Sequence, residues 1–380
     1  MKRRDFIQMT GGTIVGAAWP GTLQAASSQP PPLVRCWLHL THVYRHLDAR
    51  SDREQAIDDL LDRHLAAGLR TVMPYVTNTS GEAVFPNRLI KSQPVDAWDP
   101  LEYLISGAKE RGLEVHPAFC VLVSGHQEPS GILVDHPEWA SRHPNGKPMG
   151  HLCPTHPGAR NWVTSLIADV VQRYPIQGIM LDYFRYYNRP HRLDAASEKE
   201  LVEWQKSNSD ISETQAFQTY REQAITQLLG QIRKTTREHN RQLKIAIYSW
   251  GPHVAKNHQV AQPWPDWSRD GLIDQVSISG YCYPENYGDD YLEVFRRRIG
   301  DAVELNRQNK GQAQITFTLG VSTSHGKIRQ TSWIDTYLKL AAKEGATGVD
   351  LFTWKSLQPH LEETIRRGYL SAFRQQISGG

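Results

Sequence analysis

The chain has 380 residues, more than a typical single domain, and this length suits one α/β barrel of about 250 residues with loop insertions. Hydrophobic residues make up 39% and charged residues 22%, a balance that permits a large core and excludes global disorder. The formal net charge is only +3, so nucleic acid and anionic membranes are not expected as partners.

Residues 1–26 are predicted to be an export signal. The letters KRRDF at residues 2–6 have the twin-arginine pattern, an apolar stretch runs from Met9 to Trp19, and small residues follow at Ala25 and Ala26. The alternative is a chance Arg pair in a disordered leader. The apolar stretch is too short and too rich in glycine to span a bilayer, so stable membrane insertion is not expected. We therefore expect a periplasmic or secreted protein.

A short Ser- and Pro-rich linker, residues 27–32, precedes a predicted catalytic domain over residues 33–375. In this domain, short β-rich runs alternate with amphipathic helical runs. The predicted strands are Arg35–Leu40, Thr71–Val76, Glu114–Cys120, Gly178–Tyr183, Leu243–Ser249, Gln275–Gly280, Gln314–Gly320 and Gly348–Phe352. The predicted helices include Asp52–Ala67, Pro100–Arg111, Ala159–Arg173, Gln215–Glu238, Tyr291–Asn306 and Trp333–Lys343.

Eight such alternations predict parallel strands joined by crossover helices. The connections from strand to helix are long after strands three and four, at Ser124–His156 and Tyr187–Thr214. Barrel enzymes build their active sites from these connections. A doubly wound open sheet is the alternative, but no Gly-rich dinucleotide turn follows the first strand. The prediction is an α/β fold, a (β/α)8 TIM barrel with long loops after strands three and four.

The strongest local signal for chemistry is the carboxylate at the end of strand four. The apolar run Gly178–Leu181 ends abruptly in Asp182, and an aromatic loop with Arg185 follows. Because side chains alternate along a strand, Asp182 is expected to point to the same side as Met180 and Phe184. A carboxylate at the end of a buried strand is costly unless it is paired, and Arg185 is a plausible partner. The alternative is an Asp that caps helix four or forms a structural salt bridge, but that helix is predicted to start only at Gln215, which favours a functional role.

At this strand the chain resembles the bacterial glycosyl-hydrolase-like family 10 barrels. The letters QGIMLDYFRY from Gln177 to Tyr186 are similar to that family's strand-four stretch, and PTHPGAR from Pro154 to Arg160 is similar to the pattern that opens the preceding helix. The resemblance implies a TIM barrel that hydrolyses glycosidic bonds in a carbohydrate substrate. Many members have two adjacent acids at strand four, whereas this chain has only Asp182.

A glycosidase normally uses two carboxylates that flank the scissile bond. With Asp182 as the nucleophile or base, we expect Glu285, after strand six, to be the general acid, because no acid follows strands five and seven. Asp350 in strand eight is a rival for this role, with a barrel-core ion pair as its alternative. Glu128 and Asp135 in the third loop are weaker candidates.

Aromatic and polar side chains near the strand ends are predicted to bind the sugar. Apolar faces of sugar rings stack on aromatic rings, while sugar hydroxyls need polar partners. The alternative for each single aromatic residue is packing in the barrel. The predicted aromatic contacts are Tyr183, Trp250, Tyr281, Tyr283 and Trp354, and the predicted polar contacts are His42, Asn78, His116, His151 and Arg185.

No metal or other cofactor is expected. His39 and His42 are spaced by three, so a regular strand would direct them to opposite faces. The four cysteines form no Cys-x-x-Cys pair, and no His-Glu-x-x-His or nucleotide loop is present. The leading hypothesis is therefore a glycoside hydrolase acting on an extracytoplasmic or environmental oligo- or polysaccharide. The alternatives are a non-catalytic carbohydrate-binding barrel and a metal-assisted amidohydrolase or deacetylase.

Overall fold

The computed structural model describes residues 31–92 and 98–378. The predicted signal peptide, residues 1–26, and residues 27–30 of the predicted linker lie outside the described residues. Within the described part of the chain, no helix has the length and apolar character that crossing a membrane requires.

The strands and helices are numbered in chain order. The strands are β1 (Leu33–Leu38), β2 (Thr71–Pro74), β3 (Glu114–Val115), β4 (Ala118–Cys120), β5 (Val123–His126), β6 (Ala140–Arg142), β7 (Pro148–Leu152), β8 (Gly178–Asp182), β9 (Lys244–Ser249), β10 (Gln275–Ser279), β11 (Gln314–Gly320), β12 (Ser322–Thr323), β13 (Gly326–Lys327) and β14 (Gly348–Phe352). The helices are α1 (Thr41–Tyr44), α2 (Arg50–Ala66), α3 (Pro100–Glu110), α4 (Ile132–Asp135), α5 (Pro157–Arg173), α6 (Ala195–Lys206), α7 (Glu213–His239), α8 (Pro252–Lys256), α9 (Trp264–Arg269), α10 (Pro284–Tyr287), α11 (Tyr291–Gln308), α12 (Ser332–Lys343), α13 (Trp354–Arg367) and α14 (Tyr369–Ser378).

Nine strands form one parallel sheet in the order β3-β2-β1-β14-β11-β10-β9-β8-β4. β3 and β4 are the two halves of the third barrel strand, interrupted at His116 and Pro117, so they occupy the two ends of this order. A parallel bridge between Tyr75 and Ala118 joins the end of β2 to β4 and closes the ring. The predicted (β/α)8 barrel is confirmed.

Two apolar layers hold the barrel together. Branched residues on the outer faces of the strands pack against the surrounding helices, as parallel sheets covered on both faces require. The inward side chains form a separate cluster, which includes Trp37, Met73, Tyr75, Met180 and Tyr248. This inner cluster is the floor under the carboxyl ends of the strands, where barrel enzymes place their sites.

A buried ion pair lies at the amino-terminal end of the barrel interior. Arg35 in β1 donates through Nη2 to Oδ2 of Asp350 in β14 at 2.8 Å, and neither residue is exposed to solvent. Gln275 and Thr316 complete the hydrogen bonding of the guanidinium. Asp350, the rival acid of the sequence prediction, therefore belongs to a barrel-core ion pair and does not reach the catalytic face.

The long loops after the third and fourth barrel strands are present as predicted. After β4 the chain forms an antiparallel sheet in the order β5-β7-β6, and after β8 it forms α6 before reaching α7. Asp194 begins α6 by accepting from the backbone N–H groups of Ala196 and Ser197. The connection after β2 is also long, residues 75–99.

Candidate active site

A cavity of about 850 Å³ opens at the carboxyl ends of the barrel strands. Its aromatic lining offers flat apolar faces of the kind on which sugar rings stack. These aromatic residues are Trp37, Tyr75, Tyr183, Tyr248, Trp250, Tyr281, Tyr287 and Phe352. Among the described residues that line the cavity, Asp182 is the only carboxylate.

Asp182 is held at the last position of β8 with little contact with solvent. Strand alternation turns its side chain inward together with that of Met180, and Asp182 is only 7% exposed. Tyr75 Oη donates to Oδ2 at 2.7 Å, and the backbone N–H of Tyr183 donates to Oδ1 at 2.7 Å. Burial raises the pKa of Asp182, while the Arg185 guanidinium and these two hydrogen bonds lower it by less. The carboxyl group therefore holds a proton more readily than an ordinary aspartic acid.

The strand alternation stops at Tyr183, which corrects one sequence expectation. Tyr183 has a φ of 53°, in the left-handed region that few residues other than glycine adopt. Its ring consequently lines the cavity beside Asp182. Phe184, expected on the same side as Asp182, instead packs into the outer core, with its ring centre 5.6 Å from that of Trp267.

Arg185 projects into the cavity between two aromatic rings. Its guanidinium carbon lies 4.7 Å from the ring centre of Tyr183 and 4.5 Å from that of Trp250. Cation–π contacts of this kind fix the orientation of a guanidinium group. The buried Nη1 atom has no hydrogen-bond partner in the described structure. Arg185 thus presents an oriented, unused donor beside Asp182.

Two histidines that follow β1 form another wall of the cavity. His39 stacks on Tyr75 with ring centres 4.8 Å apart, and the ring centre of His42 lies 5.1 Å from that of His39. Burial, followed by the nearby charges of His42 and Lys355, lowers the pKa of His39 to about 4. His39 is therefore a neutral imidazole at neutral pH. The sequence prediction considered this residue only as a metal ligand.

The structure brings together seven of the twelve predicted site residues. Asn78 is held by its own loop, because its Oδ1 accepts from the backbone N–H groups of Ser80 and Glu82. The seven residues that line the cavity are His42, Asn78, Asp182, Tyr183, Arg185, Trp250 and Tyr281.

Glu285 is not placed to act as the proton donor. Its side chain is exposed at the start of α10 and pairs with Arg329 at 2.9 Å, outside the cavity lining. The hydrogen bond from Arg329 lowers the pKa of Glu285, whereas a general acid needs a raised pKa. Glu128 and Asp135 are also exposed and do not line the cavity. The structure therefore brings none of these three carboxylates into the cavity lining beside Asp182.

Two other predicted contacts are structural residues. His116 is buried between β3 and β4, where it contacts Glu114 and packs on Gly178, whose missing Cβ leaves room for the imidazole. Tyr283 is fully buried and donates its hydroxyl hydrogen bond to the carbonyl of Gly320 at 2.7 Å. Neither side chain is part of the cavity lining.

His151 and Trp354 lie beside the main cavity without lining it. His151, in β7, has its Nδ1 3.1 Å from the carbonyl oxygen of His126. Trp354 lines a smaller cavity of about 330 Å³, together with His39 and His42, which line both cavities. The ring centre of Trp354 lies 4.1 Å from that of the buried His64. The predicted contact of these two residues with a sugar in the main cavity is not supported by their positions.

Several inward-facing residues were missed by the sequence prediction. Trp37, Tyr75 and Tyr248 come from β1, the end of β2 and β9, and all three line the cavity. The alternation that identified Asp182 also applies to these strands, because Met73 and Tyr75 share the inner cluster. The same alternation, applied to the end of every predicted strand, would have predicted that these three residues face the cavity.

Comparison with known proteins places this site in a family of glycosidase-like barrels. The family model for glycosyl hydrolase-like 10 matches residues 33–295. The glycosyl hydrolase DigH of Escherichia coli O6:H1 is 24% identical over 260 residues, which cover 62% of this chain and 54% of DigH. The glycosyl hydrolase YngK of Bacillus subtilis is 24% identical over 214 residues, 53% of this chain and 40% of YngK. The chain thus spans about half the length of these curated relatives.

The solved structures support the fold. The glycoside hydrolase domain of PgaB (BpsB) from Bordetella bronchiseptica superposes with a TM-score of 0.65 at 16% identity, covering 91% of this chain and 98% of that domain. At this identity the likeness concerns the barrel architecture alone. The family model, in contrast, covers more than half of the chain, including Asp182 and the aromatic loop after it. The chain belongs to the glycosyl hydrolase-like 10 family.

Proposed function

We propose that this protein hydrolyses glycosidic bonds in a carbohydrate that lies outside the cytoplasm, with Asp182 at the centre of the reaction. The observation that carries the proposal is the placement of a buried carboxyl group with a raised pKa among the aromatic rings of an open cavity. Perturbed acids in concave sites are characteristic of catalytic centres. The extracytoplasmic location rests on the twin-arginine pattern at residues 2–6.

Asp182 is assigned the role of general acid, which protonates the leaving oxygen. Burial is the largest influence on its pKa, and burial favours the neutral, proton-carrying form. A carboxyl group with a raised pKa keeps its proton to higher pH than an ordinary aspartic acid, and it can donate that proton as the glycosidic bond breaks. The alternative, in which Asp182 is the nucleophile or base, needs the ionised form and a separate proton donor.

The test is hydrolysis of a panel of defined glycans by the full chain. Oligosaccharides that differ in sugar and linkage are incubated with the protein, and new reducing ends are measured together with product masses. Release of shorter oligosaccharides from one class of glycan, and its loss in Asp182→Asn, supports the proposal. No cleavage across a panel that includes bacterial surface and plant polysaccharides contradicts it.

A non-catalytic carbohydrate-binding barrel is a second candidate function. It is favoured by one observation: Asp182 is the only carboxylate among the described residues that line the cavity. In such a protein Asp182 would accept hydrogen bonds from sugar hydroxyls. Calorimetric titration with the same glycans distinguishes the two functions, because binding without any cleavage over prolonged incubation favours the binding barrel.

Activity is expected to survive removal of metal ions. Within residues 31–92 and 98–378, no group of three or more His, Cys, Asp or Glu side chains is arranged to hold a metal ion. After prolonged dialysis against a strong chelator, hydrolysis rates should stay within about twofold of the untreated protein. Loss of activity that returns on addition of zinc would favour the metal-assisted alternative.

Tyr75→Phe should move the pH profile upward. The variant keeps the ring that stacks on His39 and removes only the hydroxyl that donates to Asp182. Because this hydrogen bond lowers the pKa of Asp182, its loss raises that pKa further. If the protonated acid is the active form, the alkaline limb of the kcat/KM profile shifts to higher pH. An unchanged alkaline limb with an acid limb at higher pH would assign the ionised form of Asp182 instead.

A further inference from the structure

Hydrolysis with Asp182 as the acid also needs a group that activates water. In most glycosidases a second carboxylate has this role. The described lining of this cavity offers imidazoles instead, from His39, His42, His253 and His325. Histidine is the side chain that most often acts as a general base, provided that it is unprotonated and faces the reacting water.

We propose that His39 is the general base that activates the attacking water in this cavity. This inference rests on the proposed function, and it adds a second catalytic residue and a stereochemical outcome. His39 follows β1, whereas Asp182 ends β8, and both line the same cavity. The pair thus approaches a bound sugar from two different strands.

Tyr75 limits the distance between the two groups. Its ring stacks on His39 at 4.8 Å, and its hydroxyl is 2.7 Å from Asp182 Oδ2. Joined through one tyrosine ring, these contacts limit the distance from the imidazole centre to that oxygen to about 10 Å or less. Inverting glycosidases separate acid and base by roughly 6.5–9.5 Å, which leaves room for the sugar and a water molecule.

The environment of His39 suits a base. Its ring is partly buried, and it faces His42 from α1, Lys355 from α13 and Tyr75 from the segment after β2. Burial, followed by the electrostatic effects of His42 and Lys355, lowers the pKa of His39 to about 4, so the imidazole is unprotonated at neutral pH. The environment raises the pKa of Asp182 and lowers that of His39. Opposite pKa shifts of this kind allow one group to act as an acid and the other as a base.

The other cavity histidines lack this connection to Asp182. The side chain of His42 is exposed on α1, and its ring centre lies 5.1 Å from that of His39. The ring of His325 lies 6.0 Å from Tyr281, in the turn between β12 and β13. Only His39 among these histidines stacks on the residue that hydrogen bonds to the acid.

The reaction is a single displacement. His39 accepts a proton from water as the water oxygen forms a bond to the anomeric carbon. The bond from that carbon to the leaving oxygen breaks, and Asp182 gives its proton to the leaving oxygen. The anomeric configuration is inverted, and His39 returns its proton to Asp182 through solvent, so no oxidant, reductant or further reactant is needed.

The test combines a variant, a rescue and the product configuration. His39→Gln should lower kcat on the best glycan of the panel by about a hundredfold or more, as loss of a general base does. His46→Gln is the matched control, because His46 is exposed nearby and lines neither cavity. Azide added to His39→Ala should restore turnover and give a glycosyl azide of inverted configuration, a result that a purely structural role of His39 would not produce.

Proton NMR of the wild-type reaction reads the configuration of the first product, which we expect to be inverted. Retention, or full activity of His39→Gln, would overturn the assignment of His39 while leaving the glycosidase function intact. If both His39 variants fail to fold, the configuration of the wild-type product still tests the assignment of His39. If the wild type cleaves no glycan at all, the proposed function fails and the assignment of His39 fails with it.

Discussion

Asp182→Asn is expected to lower kcat/KM on a cleaved glycan by at least about a hundredfold, because proton transfer by a positioned acid contributes that much or more to the rate. The substitution keeps the shape of the side chain, and the amide oxygen can still accept the hydrogen bond from Tyr75 or Tyr183. Folding should therefore survive, which the melting temperature and the circular dichroism spectrum check. If this variant keeps most of the activity, Asp182 is not part of the reaction centre.

The dependence of the rate on the leaving group distinguishes the two candidate roles of Asp182, general acid or nucleophile and base. A general acid matters most when the leaving group is poor, so Asp182→Asn should retain far more activity on aryl glycosides with acidic phenols than on natural glycans. Equal losses on both substrates would indicate a nucleophile or base. Glu285→Gln is the matched control: its carboxylate pairs with Arg329 outside the cavity, so activity should stay near that of the wild type.

The fold could be predicted from the sequence because its signals are local. Apolar runs and helical periodicity placed β8, β11 and β14 within one residue of their observed bounds. Glycine follows the ends of α2, α3, α9 and α12, and these four residues, Gly68, Gly112, Gly271 and Gly345, adopt positive φ angles. The division of the third strand into β3 and β4 was not predicted, since it depends on how the strand pairs with β2 on one side and β8 on the other.

The site was only partly predictable because its contacts join distant strands. Asp182 could be found from its own strand, but its hydrogen bond to Tyr75 spans 107 positions of sequence and exists only because the barrel closes. Tyr283 looked like a ligand contact from its place after β10. In the structure the absent side chain of Gly326 leaves space for its ring, since a Cβ there would lie 2.7 Å from the Tyr283 ring. Burial of this kind depends on a partner that sequence spacing does not reveal.

The ion pair between Arg35 and Asp350 is expected to be the most sensitive polar contact for stability. Both side chains have no exposed surface, and each of the two guanidinium contacts goes to a different carboxylate oxygen. Removing one partner leaves the other as an uncompensated buried charge, whereas removing both eliminates the charge altogether. The contribution of the pair can therefore be separated from the cost of breaking it.

Asp350→Leu should lower the free energy of unfolding by about 3–5 kcal/mol, since the Arg35 guanidinium then stays buried with only Gln275 and Thr316 as polar partners. The double variant Arg35→Met, Asp350→Leu should recover most of that loss, because it leaves no charge at this position. Glu304→Gln, which breaks an exposed pair with Arg307 on α11, is the control and should change stability little. Urea denaturation of the four proteins measures these differences. A single variant as stable as the wild type, or a double variant less stable than the single one, would mean that the barrel does not depend on charge neutralisation at this site.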